Sequence, residues 1–213
     1  MAPDYSTTSR RVNRLEIGVK LNLDLEGPVT LAVDASGIKV ADRGEWMRLK
    51  WRRRRGFLKI HLAVDVKTKQ IVAMEVTDER AGDGGMLKPL VEQAERRCRV
   101  VKVIADGAYD SRSNFALLEE RGIEPAIRVR KNSSRRARGC PARKRVVMKQ
   151  LRDLERWKRR VRYGLRWMAE TAFSTFKRLF GEHVMARSLP NMVREMFLKA
   201  SLYNLFTSLN TAV

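Results

Sequence analysis

The chain has 213 residues and carries 45 Lys and Arg against 24 Asp and Glu, a formal net charge of +21 at pH 7. Hydrophobic residues make up 44% of the sequence, an ordinary globular fraction that excludes a disordered basic tail. The length suits one domain with a buried core. A cationic excess of this size attracts polyanions and therefore indicates nucleic acid as a partner.

The composition also argues against several other classes of protein. The longest uncharged stretch, residues 200–213, is short and contains Ser, Asn and Thr, so we expect no membrane helix. The N-terminus has no apolar signal segment, which favours a cytoplasmic protein. Two Cys and two His without CxxC spacing argue against a disulfide scaffold and a zinc site. A metal ion would therefore be bound by carboxylates, and such ligands favour magnesium.

The first part of the chain is dominated by predicted strands. Residues 3–15 carry cap signals and predict a short basic helix. Apolar runs or alternating apolar residues then predict strands over 29–34, 58–66 and 70–76, the last two joined by a tight turn.

The second part alternates between helices and strands and then becomes helical. The pattern predicts a helix over 85–97, a strand over 100–105, a helix over 112–121, a strand over 123–129 and helices over 150–180 and 191–209. Pro125 indicates that the fifth strand lies at a sheet edge. Residues 128–149 are basic and poor in apolar residues, which predicts a loop.

This order of elements predicts an α/β fold. The first three strands form an antiparallel meander, and the later strands are joined by crossover helices and are therefore parallel. The expected architecture is the ribonuclease H-like fold, a mixed five-stranded sheet with helices on both faces.

Two acidic residues follow buried apolar runs in the predicted sheet. Asp34 and Asp106 are placed at the carboxyl ends of the first and fourth strands. If these strands are parallel neighbours, both side chains meet at the sheet end where ligands bind in α/β proteins. Two such carboxylates repel each other unless a divalent cation lies between them. Taken singly, each aspartate could instead cap a turn or a helix without belonging to a ligand site.

The predicted helix over 150–180 carries four polar residues with a regular spacing. Tyr163, Arg166, Glu170 and Lys177 are separated by three, four and seven residues. On one continuous helix, at about 100° per residue, they fall within an arc of about 60°. A solvent-exposed ion pair between Arg166 and Glu170 is the alternative explanation.

This spacing matches the Tyr-Arg-Glu-Lys signature of DDE transposases of the insertion-sequence 4 and 5 group. Residues 33–36 and 104–111 resemble the segments around the first and second catalytic Asp of that group. Residues 53–65 resemble the second strand of the insertion-sequence 5 family. The resemblance runs from about residue 28 to 210.

The resemblance implies a transposase that cleaves DNA strands and transfers them, acting as a homodimer on element termini and target DNA. It implies that Asp34, Asp106 and Glu170 are the catalytic residues and bind two Mg²⁺ ions, for which Mn²⁺ can substitute, with Asp34 shared between them. The DNA-binding residues are then expected to be Tyr163, Arg166, Lys177, Arg52, Arg53, Arg54 and Arg55. The protein is expected to be cytoplasmic and associated with the nucleoid, with no membrane partner.

One departure from the family concerns the N-terminus, because family members carry a longer DNA-binding region before the first Asp. We therefore expect residues 1–27 to be a remnant of that region and residues 28–213 to form the catalytic domain. Two alternatives remain open: a truncated remnant that binds DNA without transposing, and a ribonuclease H-like nuclease. The intact carboxylate triad argues against the first, and the position of Lys177 against the second.

Overall fold

A computed structural model describes most of the chain. The described residues are 4–14, 17–21, 25, 27–40, 57–134, 139–186 and 188–211. The predicted basic cluster of Arg52, Arg53, Arg54 and Arg55 lies outside them.

The core of the fold is a mixed sheet. Its five main strands are β1 (Pro28–Val40), β2 (Phe57–Asp65), β3 (Ile71–Asp78), β4 (Arg99–Ala105) and β5 (Glu124–Ile127). They are arranged in the order β3-β2-β1-β4-β5, with β1, β2 and β3 antiparallel and β4 and β5 parallel to β1. This is the predicted ribonuclease H-like order, and Pro125 lies on an edge strand as predicted. A short additional strand, β6 (His183–Val184), pairs with β1.

Helices cover both faces of the sheet. They are α1 (Tyr5–Arg14), α2 (Leu87–Glu95), α3 (Arg112–Glu120), α4 (Pro141–Arg152), α5 (Leu154–Val161), α6 (Trp167–Phe180) and α7 (Leu189–Thr211). One apolar core holds residues of α2 to α5, and a second holds residues of α6 and α7. The two faces of the sheet are therefore both buried, as predicted. No helix in the described ranges combines the length and the apolar content needed to cross a bilayer.

Strand β1 is longer than predicted. It continues to Val40, so Asp34 lies in the middle of the strand rather than at its carboxyl end. The extension is stabilised by β2, which pairs with β1 from Leu31 to Lys39. The sequence pattern missed this extension because Ser36 and Gly37 interrupt the apolar run.

The predicted loop over 128–149 is wrong in its second half, where α4 begins at Pro141. Pro is favoured in the first helical turn because its missing N–H needs no partner there. Four buried residues at helical spacing pack α4 into the core: Ala142, Val146, Val147 and Gln150. The sequence did not indicate this helix, because the many Arg and Lys residues of the segment make its average composition polar.

The predicted single helix over 150–180 is also wrong, because two residues interrupt it. Asp153 has extended backbone and accepts a hydrogen bond from the backbone N–H of Arg156, so α4 ends there and α5 begins. Arg162 adopts a left-handed conformation with φ of 54° and ends α5. A 3₁₀ turn over Tyr163–Arg166 then leads into α6.

Candidate active site

The two predicted aspartates meet at one end of the β1–β4 pair. The last residues paired in the parallel register are Ala32 and Ile104. Asp34 and Asp106 each lie two residues beyond that pair, and β4 ends at Ala105. The structure therefore brings them together as the sequence predicted, although β1 itself continues past the site.

The site occupies a gap along one edge of β1. On that edge β4 pairs as far as Ala32, and β6 pairs with Lys39 and Val40. Between them, residues 33–38 have no strand partner on this side within the described part of the chain. Helix α6 packs against β1 and β2, and Glu170 in its first turn is connected to Asp34 in this gap through Arg166.

Asp34 is a half-buried carboxylate with three charged neighbours. Its Oδ1 accepts a hydrogen bond of 2.9 Å from the backbone N–H of Ala35. Burial raises the pKa of Asp34 above its ordinary value, and the charges of Asp106 and Glu170 raise it further. The hydrogen bond from Ala35 and the charge of Arg166 act in the opposite direction. These interactions place both other acids of the predicted triad within electrostatic range of Asp34.

Asp106 also organises the turn that follows β4. Its Oδ1 accepts a hydrogen bond of 2.8 Å from the backbone N–H of Ala108 and so caps the 3₁₀ turn Gly107–Tyr109. The Tyr109 side chain is buried, and burial raises the pKa of its hydroxyl well above the ordinary value. The turn is thus anchored in the core, which holds the Asp106 carboxylate at the end of β4. Capping and a role in the site are compatible.

Arg166 connects two of the three carboxylates. Its Nη1 lies 3.4 Å from Oδ2 of Asp34, and its Nη2 pairs with Oε1 of Glu170. The Glu170 side chain is 53% exposed, whereas that of Asp34 is 23% exposed. The guanidinium therefore supplies the positive charge that neighbouring carboxylates need.

Tyr163 and Lys177 contact residues outside this group. The Tyr163 hydroxyl donates a hydrogen bond of 3.3 Å to the backbone carbonyl of Ala105, and its ring packs against Trp157 with centroids 5.3 Å apart. Burial raises the pKa of Tyr163. Lys177 lies two turns beyond Glu170 on α6, and its Nζ is 3.9 Å from Oε1 of Glu182.

The predicted four-residue stripe on one helix therefore needs correction. Tyr163 and Arg166 belong to the 3₁₀ turn, whereas Glu170 and Lys177 belong to α6. The change from the 3₁₀ turn to α6 nevertheless leaves three of these residues close together. Tyr163, Arg166 and Glu170 still converge on the end of β4, because the turn is tied to Ala105 and the guanidinium to Asp34.

The donor set of the site consists of carboxylate oxygens, which suit a hard divalent cation. Among the described residues, no group of three or more His, Cys, Asp or Glu side chains has the geometry of a metal site. Arg166 is paired to both Asp34 and Glu170, so its guanidinium supplies positive charge beside these two carboxylates. The chemistry of these side chains thus fits a hard divalent cation, which would compete with Arg166 for Asp34 and Glu170.

A buried ion pair beside the site was missed by the sequence analysis. The sequence allows either Asp110 or Ser111 to cap α3, and the structure shows that Ser111 does so. The Asp110 carboxylate instead accepts hydrogen bonds from Arg143 at 2.7 and 2.9 Å and from the backbone N–H of Arg130 at 2.9 Å. Although burial alone would raise it, these bonds hold the pKa of Asp110 below its ordinary value. Because Arg143 is 33 residues away, no local pattern indicates this pair.

A basic cleft lies between α4 and α5. Its cavity measures about 420 Å³ and is lined by Lys149, Arg152, Asp153, Arg156, Trp157 and Arg160. The four basic side chains are exposed, and Trp157 is buried beneath them. The carboxylate of Asp153 is engaged by the backbone of Arg156. The cleft therefore presents four cations to solvent.

Comparison with known proteins identifies the family of the chain. Residues 25–205, which are 181 of the 213, match the sequence model of the family described as "Transposase DDE domain". The chain is also similar to a piggyBac transposase, solved by cryo-EM as a synaptic complex with hairpin DNA, at 12% sequence identity and a TM-score of 0.45. That match covers 84% of this chain and 46% of the piggyBac chain, so this chain spans less than half of that protein. On the strength of the family match, the chain belongs to the transposase DDE domain family.

Proposed function

We propose that this protein cleaves DNA strands at the ends of an insertion sequence and transfers them to target DNA, with Asp34, Asp106 and Glu170 as its catalytic carboxylates. The observation that supports it best is the convergence of these residues. Asp34 and Asp106 follow the last paired residues of β1 and β4, and Arg166 connects Asp34 to Glu170. The spacing of Tyr163, Arg166, Glu170 and Lys177 supports the narrower assignment to the insertion-sequence 4 and 5 group.

In this proposal Asp34, Asp106 and Glu170 would hold two magnesium ions, for which Mn²⁺ could substitute. When bound, such ions would supply activation of the attacking water or 3′-hydroxyl and charge stabilisation of the leaving oxygen. The protein contributes the arrangement of the three carboxylates on β1, β4 and α6. No protein nucleophile is required, and neither Cys98 nor Cys140 belongs to the group around Asp34.

Arg166 has two successive roles in the proposed reaction. In the structure it neutralises Asp34 and Glu170. In the complex with DNA its planar guanidinium is suited to bind two phosphate oxygens beside the scissile bond. Lys177, two helical turns from Glu170, supplies a second cation for the adjacent phosphate. Tyr163 holds the turn that carries Arg166 against Ala105.

The DNA backbone is proposed to follow the basic surface of the molecule. The cleft between α4 and α5 presents Lys149, Arg152, Arg156 and Arg160. The cluster of Arg52 to Arg55 is proposed to extend this surface. Such contacts neutralise phosphates without reading base sequence. We further propose that two copies act together on element termini and target, in association with the nucleoid, and that residues 28–213 form the catalytic domain.

The test is metal-dependent cleavage of DNA carrying the element ends. Asp34→Asn, Asp106→Asn and Glu170→Gln are each expected to abolish cleavage and to leave DNA affinity intact or higher, because each removes a ligand charge and also a negative charge near DNA. Glu155→Gln, a change in an exposed pair with Lys158, is the matched control and should cleave normally. Normal cleavage by any of the three variants removes that residue from the site.

The same assay separates the alternative functions. A DNA-binding remnant shifts DNA in a gel but produces no cleavage with the wild-type chain. A ribonuclease H-like nuclease cleaves without joining the 3′ end to a target duplex. Cleavage followed by joining is the outcome expected here.

A further inference from the structure

Helix α7 has two apolar faces. The first face packs against the sheet and α6 and contains Met192, Met196, Ala200 and Tyr203. The second face is directed away from the core. Its large apolar residues are 40–58% exposed: Leu198, Leu202, Leu205, Phe206 and Leu209. Phe206 lies at the edge of this face, where its ring stacks on Phe180 of α6 with centroids 6.5 Å apart. An apolar helix face is typical of a buried position, but within the described part of the chain only the first face packs into a core cluster.

Four of these exposed residues are leucines with a coiled-coil spacing. Leu198, Leu202, Leu205 and Leu209 are separated by four, three and four residues. At about 100° per residue they lie within an arc of about 60°. This 4-3-4 spacing is the one at which an apolar seam pairs with a second helix by inserting each side chain between those of its partner. We refer to these four residues as the leucine stripe.

The rotation of α7 is held by a buried amide. The side-chain oxygen of Asn204 accepts a hydrogen bond of 2.8 Å from the backbone N–H of Ile71, and its Nδ2 donates to the carbonyls of Ile71 at 2.9 Å and Lys20 at 2.7 Å. Asn204 itself is fully buried. Because these bonds fix which side of α7 faces the core, the leucine stripe is a fixed exposed surface rather than a core face turned outward.

The charge distribution indicates which partner covers the stripe. Residues 200–213 contain no charged side chain, in a chain whose net charge is +21. DNA binding relies on cations that neutralise phosphates, so this surface is unsuited to DNA. A second copy of the chain is repelled by the basic surfaces and can approach closely only where charge is absent. An identical leucine stripe is also complementary to itself about a two-fold axis.

We propose that the leucine stripe of α7 is the surface at which a second copy of this chain docks, with the two stripes packed against each other about a two-fold axis. This proposal names the surface through which the two copies proposed to act on DNA contact each other. Only the biological role of the contact rests on that proposed function. The contact itself requires neither DNA nor an active catalytic site.

The experiment is the molar mass of the full chain in 0.5 M salt without DNA, measured by sedimentation equilibrium at micromolar concentrations. The wild type is expected to have twice the chain mass of 24.6 kDa. The double variant Leu202→Glu/Leu205→Glu is expected to be monomeric. Leu151→Glu, at a similarly exposed leucine outside α7, is the matched control and should remain dimeric. A monomeric wild type, or a dimeric double variant, overturns the proposal.

A charge-swap mixture guards against misfolding of the double variant. Leu202→Lys/Leu205→Lys is expected to be monomeric by itself and to form a dimer when mixed with the glutamate variant, because opposite charges then meet across the two stripes. Unfolded chains would not pair in this way. Failure of the catalytic proposal can be distinguished from failure of the dimer proposal. Asp34→Asn should dimerise as the wild type does, whether or not the wild type cleaves DNA.

Discussion

Nη1 of Arg166 lies 3.4 Å from Oδ2 of Asp34, although 132 residues separate them in the chain, and Nη2 of the same guanidinium pairs with Glu170. This contact joins the middle of β1 to the segment that leads into α6. It also means that a cationic side chain already neutralises two of the proposed metal ligands. Several properties of the site depend on this competition.

Removal of Arg166 is expected to strengthen metal binding and to weaken catalysis. Without the guanidinium, Asp34 and Glu170 lose a competing cation. We therefore expect Arg166→Ala to bind Mn²⁺ about two- to fivefold more tightly in the absence of DNA, the range of a partly exposed ion pair. Calorimetric titration measures this. Arg166→Lys, which keeps the charge, is the control, and equal affinity of Arg166→Ala and wild type would show that Arg166 does not compete.

Asp34 is expected to lower the stability of the folded protein at neutral pH. Its pKa in the folded state lies above the ordinary value of 3.8, mainly because of burial, so its ionisation costs free energy in the folded state. That cost is absent below pH 3.8 and grows as the pH rises through the folded-state pKa. Asp34→Asn should therefore melt at a higher temperature than wild type at pH 7 without added metal. The difference should disappear towards pH 3.8, and a variant less stable at pH 7 would contradict this.

Lys177 is expected to act in cleavage more than in DNA affinity. Many other cations supply the long-range field, whereas a cation beside the scissile phosphate acts where its placement determines the rate. Lys177→Ala should reduce single-turnover cleavage at saturating protein about ten- to a hundredfold, equivalent to about 1.4–2.7 kcal/mol in the barrier. Lys177→Arg should recover part of the rate.

Glu182→Gln provides the matched control for Lys177, because it removes the partner of Lys177 and leaves its charge in place. This variant should cleave at close to the normal rate. If Lys177→Ala instead loses affinity in a gel-shift titration while its saturated rate stays normal, Lys177 is a docking residue.

Binding of duplex DNA is expected to weaken steeply with salt. If about six phosphates are neutralised, log K falls with log salt at a slope of roughly −5. Arg152→Ala/Arg156→Ala in the cleft should reduce the size of this slope by about two units, because each lost phosphate contact removes about 0.9. Replacement of Arg52–Arg55 with Ala should reduce it by several units.

The control for the salt experiment is Lys67→Ala/Arg99→Ala. These two exposed residues lie at the end of the sheet opposite to Asp34 and Asp106. Lys67 follows the end of β2, and Arg99 is the first residue of β4. Their removal lowers the net charge equally but should leave the slope nearly unchanged. An equal effect of both double variants would indicate a diffuse field rather than a DNA path along the cleft.

Loss of the Asp110 carboxylate is expected to be strongly destabilising. Asp110→Asn removes one partner of a buried ion pair and leaves Arg143 without its counter-charge, a change that costs about 3 kcal/mol in urea unfolding at pH 7. Because the folded-state pKa of Asp110 lies below 3.8, the contribution of the pair is complete above pH 3.8 and is lost as the pH falls further. Glu119→Gln, in the exposed pair with Arg145, should cost less than about 1 kcal/mol.

Features that depend on short-range periodicity were predictable from the sequence. The alternation in β2 and the buried runs of β1 and β4 set the strands, because a strand face repeats every two residues. The order of strands and helices then predicted a ribonuclease H-like sheet, and the structure confirms that β1 and β4 are parallel neighbours in it. That adjacency is sufficient to bring Asp34 and Asp106 to one place. The sequence by itself therefore determined the five main strands and the approach of these two carboxylates, but not the extension of β1 or the pairing of β6.

Tertiary structure alone decided how the remaining groups are placed. The left-handed turn at Arg162, the α4 helix within a basic segment and the pair between Asp110 and Arg143 depend on contacts with distant residues. The position of Arg166 between Asp34 and Glu170 likewise depends on a contact with a residue that is distant in the sequence. Helical periodicity predicts which residues share a face of one element, but it cannot predict where packing interrupts the element, because burial against other parts of the chain overrides local preference.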